Sequence, residues 1–238
     1  MQALNIFILM GQSNMSGRGD LSEVPALRHP DVFMWRDGQW MTAEEPLHSD
    51  KPQMVGAGLG MSFAIEIMKR TGLSPIGLVP CAVGGSPLRR WMPGEDLHEA
   101  AVKEATEALK HGKLAGLLWH QGEHDACAAG MASTYGERMV TMIARLRTEL
   151  EAPDVPFIAG EIGYFLKAFE KTTHYELINR TLQDLGKHVP GYLCVSADGL
   201  TDKGDSLHFD AASLREFGIR YSKAFERLVA SCYSYRRY

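Results

Sequence analysis

Residues 5–17 read NIFILMGQSNMSG: five apolar side chains in a row, Ile6 to Met10, break into a glycine, a glutamine, a lone serine and an asparagine. Three readings compete: the tail of a secretion signal, a strand turning into an ordinary helix, or a strand that delivers a nucleophile. A secretion signal needs a basic leader, a longer apolar core and a small-residue cleavage site. The chain starts Met-Gln-Ala-Leu-Asn, and its apolar run ends in MGQSN. The signal reading is therefore set aside and a cytoplasmic setting is expected.

Working outward, short apolar runs alternate with longer segments of helical period. Strands are expected at residues 4–10, 76–81, 115–119, 156–162 and 192–196, and helices at 59–71, 96–111, 134–150, 174–188 and 212–232. Near-continuous apolarity suits parallel strands buried on both faces. In the second helical segment Leu97, Ala101, Ala105, Ala108 and Leu109 form one apolar face. Strand–helix alternation predicts an α/β fold with helices on both sides of a mainly parallel, five-stranded sheet. With 238 residues, 45% of them hydrophobic, residues 1–238 suit a single domain with a sizeable core. Residues 17–58, rich in Pro, Asp, Gly and Trp, are irregular and longer than a usual connection, as segments that shape a site often are.

Charge excludes some partners. The formal net charge is −4 and no basic run occurs, so a nucleic-acid footprint is missing. An apolar stretch of Ile6 to Met10 is far too short to span a membrane, so no membrane partner is expected. Cys81, Cys127, Cys194 and Cys232 form no CxxC pair and read as reduced thiols. Nothing in the sequence speaks to oligomeric state.

In open parallel sheets, ligands sit outside the carboxyl ends of the strands. After the first strand comes Ser13, after the second Gly84 and Gly85, after the third Gln121 and Glu123, and after the fifth Asp205 and His208. A serine hydroxyl becomes a nucleophile when a base takes its proton and a third group orients that base. His208 is the candidate base and Asp205, three residues earlier, its candidate orienter. Asp198, Asp202 and Asp210 are the rival carboxylates, Asp210 being better placed to cap the last helix. Candidate oxyanion donors are the Ser13 N–H, the Gly85 N–H and the Gln121 amide. Each piece also has a bland reading: Ser13 as a helix N-cap, GGS as a turn, Gln121 as a loop tie. Their joint placement on one rim favours the chemical one.

Four blocks carry a resemblance: GQSNMSGRG (11–19), VGGSPLRRW (83–91), WHQGEHDA (119–126) and DSLHFDAASLREFGIRYSKAF (205–225). Together they resemble the SGNH-hydrolase superfamily, and within it the carbohydrate esterases of family six and the sialate O-acetylesterase-like proteins. The resemblance spans essentially the whole chain. It implies a three-layer, flavodoxin-like α/β/α sandwich and a serine esterase with no metal or other cofactor. Acetylated sugars are the implied substrates. By matching position Ser13 would be nucleophile, His208 base and Asp205 its orienter. Gly85 and Gln121 would complete the oxyanion hole, Gln121 standing where other branches use asparagine. Glu123 falls on the glutamate of QGE, a supporting hydrogen-bonding position. The chain departs from the family's usual QGES at His124 and from its GGTS-like block at Pro87. Compactness and the missing leader favour a short acetylated oligosaccharide or monosaccharide over polymeric xylan.

Two rivals are kept. His120 to His124 also fit H-x-x-E-H, a zinc-hydrolase pattern that requires a helix to bring both imidazoles to one face. Here the motif follows an apolar strand and contains Gly122. A non-catalytic carbohydrate-binding protein is the other rival, with Trp35, Trp40, Trp91 and Tyr164 as stacking platforms. Among possible cysteine nucleophiles, Cys81 ends a strand and Cys127 lacks an evident base.

Overall fold

The computed structural model describes residues 3–235, with side chains through residue 230. The first strand, β1 (Leu4–Gly11), is buried at every residue. A four-residue helix α1 (Ser13–Ser16) follows directly. Then come β2 (Val32–Arg36), β3 (Gln39–Thr42), α2 (Gly60–Thr71), β4 (Ile76–Pro80), α3 (Asp96–Leu109) and β5 (Gly112–His120). The second half contributes α4 (Ala129–Ser133), α5 (Tyr135–Glu149), β6 (Phe157–Gly160), α6 (Tyr175–Asp184), β7 (Tyr192–Val195) and α7 (Ala211–Tyr235).

The sheet has seven strands in the order β3-β2-β4-β1-β5-β6-β7, with β1 at its centre. Every pairing is parallel except β2 with β3. Side chains alternate across β1. Ile6, Ile8 and Met10 join a core with Ala101, Ala105, Met142, Leu146 and Leu182 of α3, α5 and α6. Phe7 and Leu9 join another with Phe63, Ile67, Leu214 and Phe225 of α2 and α7. The three-layer α/β/α arrangement is thus as expected.

The strand count is not. The two additional strands, β2 and β3, lie within residues 17–58. They form a hairpin turning at Asp37 and Gly38, whose φ angles are 51° and 76°. Asp-Gly between apolar and aromatic runs supplies the paired positive φ of a two-residue hairpin turn. Helix ends also shift: α6 stops at Asp184 and tightens into a 3-10 turn, Leu185–Lys187, ahead of Pro190.

What this fold does for the rim is clearest at Gly11. Its φ is +128°, and a Cβ there would lie 2.1 Å from the His120 carbonyl oxygen at the end of β5. Gln12 N–H donates to that same oxygen at 2.9 Å. On the other side, Val83 N–H and the Ser86 hydroxyl donate to the Gly11 carbonyl at 3.0 and 3.3 Å. One glycine therefore lets the ends of β1, β4 and β5 close on one another. Gly11→Ala should lose on the order of 3 kcal/mol of stability, from forced positive φ and backbone overlap together. Urea unfolding of both proteins checks this, and an unchanged midpoint would refute it.

Candidate active site

Ser13 opens α1, but Gln12 occupies the N-cap position, and no side chain caps that helix. The N-cap reading of Ser13 is thereby corrected. Its Oγ lies 3.1 Å from His208 Nε2, across 195 residues of sequence. His208 Nδ1 lies 2.7 Å from Asp205 Oδ2. The other carboxylate oxygen, Oδ1, accepts from the N–H groups of His208 and Leu207 at 2.8 and 3.0 Å. Ser13, His208 and Asp205 are thus brought together as the sequence reading expected. Ser13 and His208 are 6% and 8% exposed, whereas the Asp205 side chain is 37% exposed. Two of the rival carboxylates are occupied elsewhere. Asp202 accepts from the N–H groups of Gly204 and Ser206, and Asp210 accepts from Ser213 N–H in the first turn of α7.

Burial lowers the His208 pKa, because a charged imidazole would lose its solvation. The Asp205 carboxylate works the other way but does not cancel the effect. For Asp205, partial burial opposes ionisation, yet hydrogen bonds from the His208 ring and from the two N–H groups outweigh it and hold its pKa below the usual range.

The β4–α3 connection brings Gly84 and Gly85 alongside. No acceptor among the described residues meets the N–H of Ser13 or of Gly85, and Gly85 is exposed with φ +77°. Gln121 is placed differently from the expectation. Its Nε2 donates to Asp125 Oδ2 at 2.7 Å and to the Ser86 carbonyl at 3.2 Å. Its Oε1 accepts from the Tyr135 hydroxyl at 3.0 Å. Both amide protons are committed and the side chain is fully buried, so Gln121 ties the end of β5 to the glycine loop and has no proton free for an oxyanion. Glu123 is buried and accepts from Asn14 Nδ2.

Sequence reading missed three residues here. Asp50, from the irregular segment, accepts from Gly84 N–H at 2.6 Å and pairs with Arg18 at 2.8 Å, backing the glycine loop. Burial disfavours the Asp50 charge, but Gly84 N–H and the Arg18 guanidinium more than restore it. Asn14 grips the chain on either side of His208: its Oδ1 accepts from Phe209 N–H at 3.1 Å and its Nδ2 donates to the Leu207 carbonyl at 3.2 Å. Glu161, after β6, accepts from Ala197 N–H at 2.9 Å and from the Ser196 hydroxyl at 3.1 Å, joining the ends of β6 and β7. GQSN displayed Asn14, but its partners lie far along the chain.

The zinc alternative does not survive. His120 ends β5 with its ring buried edge-on to Phe209 and Phe217, at centroid separations of 5.6 and 5.1 Å, while His124 is exposed on the following turn. No helix face joins them. Of the proposed sugar platforms, Trp91 is buried against Trp119 with its Nε1 on Ser86 Oγ, and Trp35 is buried with its Nε1 on Glu104. Trp40 is half-buried beside Trp35, and Tyr164 alone of the four is exposed. Cys81 is half-buried and burial pushes its thiol up to about 12, which suits packing rather than attack. The Cys232 side chain lies outside the described residues.

Known proteins resemble the chain in sequence and in fold. Residues 3–227 match the family model described as carbohydrate esterase, sialic acid-specific acetylesterase. The chain belongs to this family. It is accordingly a carboxylic-ester hydrolase of the carbohydrate esterase type. A protein named "Probable carbohydrate esterase" from Arabidopsis thaliana is 34% identical over 92% of this chain and 89% of its own. An X-ray structure of an Arabidopsis thaliana protein superimposes with TM-score 0.86 at 30% identity, covering 94% of this chain and 98% of that one. The crystal structure of NanS shares the fold with TM-score 0.79 at 18% identity, covering 96% and 98% of the two chains. A carbohydrate acetylesterase from Xanthomonas citri shares it with TM-score 0.72 at 21% identity, covering 95% of this chain and 57% of its own.

The His208 environment yields a direct expectation. Titrated by NMR of the imidazole nitrogens, His208 should have a midpoint below the ordinary 6.5, and Asp205→Asn should lower it further by removing the one charge that favours the imidazolium. A midpoint at or above 6.5, or a rise in the variant, would contradict this account of the site.

Proposed function

We propose that the chain is a serine O-acetylesterase acting on acetylated carbohydrates of xylo-oligosaccharide or sialic-acid type through an acyl-enzyme. The observation that carries the reading is the contact chain from Ser13 Oγ to His208 Nε2, 3.1 Å, and from His208 Nδ1 to Asp205, 2.7 Å. With Nδ1–H donated to Asp205, the Nε2 lone pair faces the serine hydroxyl. Oγ bonds to the acetyl carbon while its proton passes to Nε2. The carbonyl oxygen, now negative, sits against the unpartnered N–H groups of Ser13 and Gly85. Collapse of this intermediate breaks the bond to the sugar oxygen, which leaves with the proton from Nε2. A water molecule then gives a proton to Nε2 as its oxygen attacks the acetyl carbon, and the second collapse frees acetate and restores Ser13. Asp205 keeps the imidazole in one tautomer and stabilises its charged form throughout.

Family membership and the carbohydrate acetylesterase of similar fold support the acetyl ester and the sugar. The span of the family match supports residues 1–238 as one esterase domain. Cys81, Cys127 and Cys194 are free thiols, which supports a reducing, cytoplasmic setting. Among the described residues no helix is long and apolar enough to cross a membrane.

The test is acetate release from acetylated xylo-oligosaccharides, O-acetylated sialic acids and aryl acetates. Ser13→Ala should lose at least about 10³-fold in kcat with an unchanged circular dichroism spectrum. Asp205→Asn should lose up to about 10⁴-fold, far more than Asp202→Asn or Asp210→Asn. Full activity of Ser13→Ala would end the reading. Sugar binding without release of acetate from any ester would favour the carbohydrate-binding alternative.

A further inference from the structure

One strand further along the rim from Ser13 lies a cleft that the reaction itself leaves unused. It opens at the carboxyl ends of β2 and β4, between Arg36, Pro80 and Glu104, and its volume of about 350 Å³ suits a small ligand. His48 belongs to its wall, yet the side chain is only 3% exposed and neither ring nitrogen has a hydrogen-bond partner. The Asp50 carboxylate and the Leu9 and Ser16 carbonyls favour a proton on the ring, but none meets it in hydrogen-bonding geometry. Burial outweighs them and brings the pKa down to about 4, so the ring is neutral and offers one N–H and one lone pair. A buried polar atom without a partner forfeits the hydrogen bond it had with water, which makes such pairs rare. A ligand that supplies both partners recovers that loss.

The other groups on the cleft set the chemistry of that ligand. One Glu104 oxygen accepts from Trp35 Nε1 at 2.7 Å, and the other has no hydrogen-bond partner among the described residues. Asp37 is exposed at the lip, on the hairpin turn. Arg36 is half-buried, and its Nη2 donates to the Pro46 and Leu47 carbonyls at 2.9 and 3.2 Å, which fixes the segment that carries His48. An anion would meet two carboxylates here, and a cation would meet the guanidinium. Among the described residues no group of three His, Cys, Asp or Glu side chains is arranged to hold a metal ion. A neutral, hydroxyl-rich ligand suits every wall, because a hydroxyl donates to a carboxylate and accepts from a guanidinium or an imidazole N–H. The cleft is also tied to the catalytic loop. Ser49 lines it, and the next residue, Asp50, accepts from the N–H of Gly84, the neighbour of Gly85, at 2.6 Å.

We propose that this cleft is a subsite for a neutral sugar unit of the substrate, with His48 and Glu104 as its polar anchors. The enzyme then takes an acetylated oligosaccharide whose chain runs along the rim from Ser13 towards β2. The proposal rests on the carbohydrate-esterase reading given above. Within that reading it selects the xylo-oligosaccharide type over the sialic-acid type, whose carboxylate Glu104 and Asp37 would repel at this cleft.

The probe is unacetylated xylotetraose. Its addition should shift the His48 imidazole nitrogens in NMR spectra. Isothermal titration should give a Kd that His48→Leu and Glu104→Gln each weaken at least about tenfold, the effect of one lost hydrogen bond in a buried site. Glutamine keeps an oxygen for Trp35 but turns a donor towards the cleft in place of an acceptor. With acetylated xylotetraose as substrate, kcat/KM relative to that for p-nitrophenyl acetate should fall about tenfold in both variants, chiefly through KM. Ser49→Phe obstructs the cleft from an exposed position and should lower both the affinity and the ratio, so it decides the matter if His48→Leu does not fold. Ordered water alone on the His48 nitrogens with no xylotetraose bound would overturn the proposal. So would a His48 shift caused by N-acetylneuraminic acid and not by xylotetraose, or variants that match the wild type in affinity and ratio. If no ester releases acetate while xylotetraose still shifts His48, the esterase reading fails and the sugar subsite stands.

Discussion

β1 is buried along its whole length and hydrogen-bonded on both edges, to β4 on one side and β5 on the other. Three strand ends are thereby fixed within one patch of backbone, and Gly11 allows them to approach without a side chain between them. The serine leaves β1 two residues later, too soon to wander. A hydroxyl and an imidazole separated by 195 residues meet at 3.1 Å because Ser13 directly follows β1 while Asn14, beside it, binds the loop on either side of His208. Catalytic geometry of this kind depends on rigid supports more than on the catalytic groups, since misplacement by about 1 Å can cost on the order of 10²-fold in rate.

The supports here are polar and largely buried, and each is held by a specific partner. Asp125 accepts from Leu88 N–H and Gln121 Nε2 and pairs with Arg138, so one carboxylate joins the glycine loop, β5 and α5. Asp50 and Arg18 do the same for Gly84 from the irregular segment. Glu161 joins β6 to β7. Replacing one member of such a group leaves the others unpaired in a dry environment, which makes them costly to change. Stability and site geometry are therefore held by the same residues on this rim.

Much of this was legible in the sequence. Five apolar runs announced the parallel strands, because a strand buried on both faces has no polar side to interrupt it. The rim residues followed from the rule that ligands sit at strand carboxyl ends. The β2–β3 hairpin is hidden in the sequence because Arg36, Gln39 and Thr42 break the apolar pattern at a sheet edge. Gln121 was misread for another reason. Its amide is claimed by Asp125 four residues on and by Ser86 thirty-five residues back, and no local pattern records that second partner. Asn14 and Asp50 escaped likewise, since their roles lie wholly in long-range hydrogen bonds.

The central claim is that Ser13 forms the covalent acyl intermediate in a pocket whose donors are the Ser13 and Gly85 N–H groups. The most direct measurement is a crystal structure of the protein inactivated with diethyl p-nitrophenyl phosphate. The account predicts a single phosphoryl group on Ser13 Oγ, its free oxygen within hydrogen-bond reach of both N–H groups, with the Gln121 amide still on Asp125. An adduct on any other residue, or an adduct oxygen bound by Gln121 rather than Gly85, would contradict it.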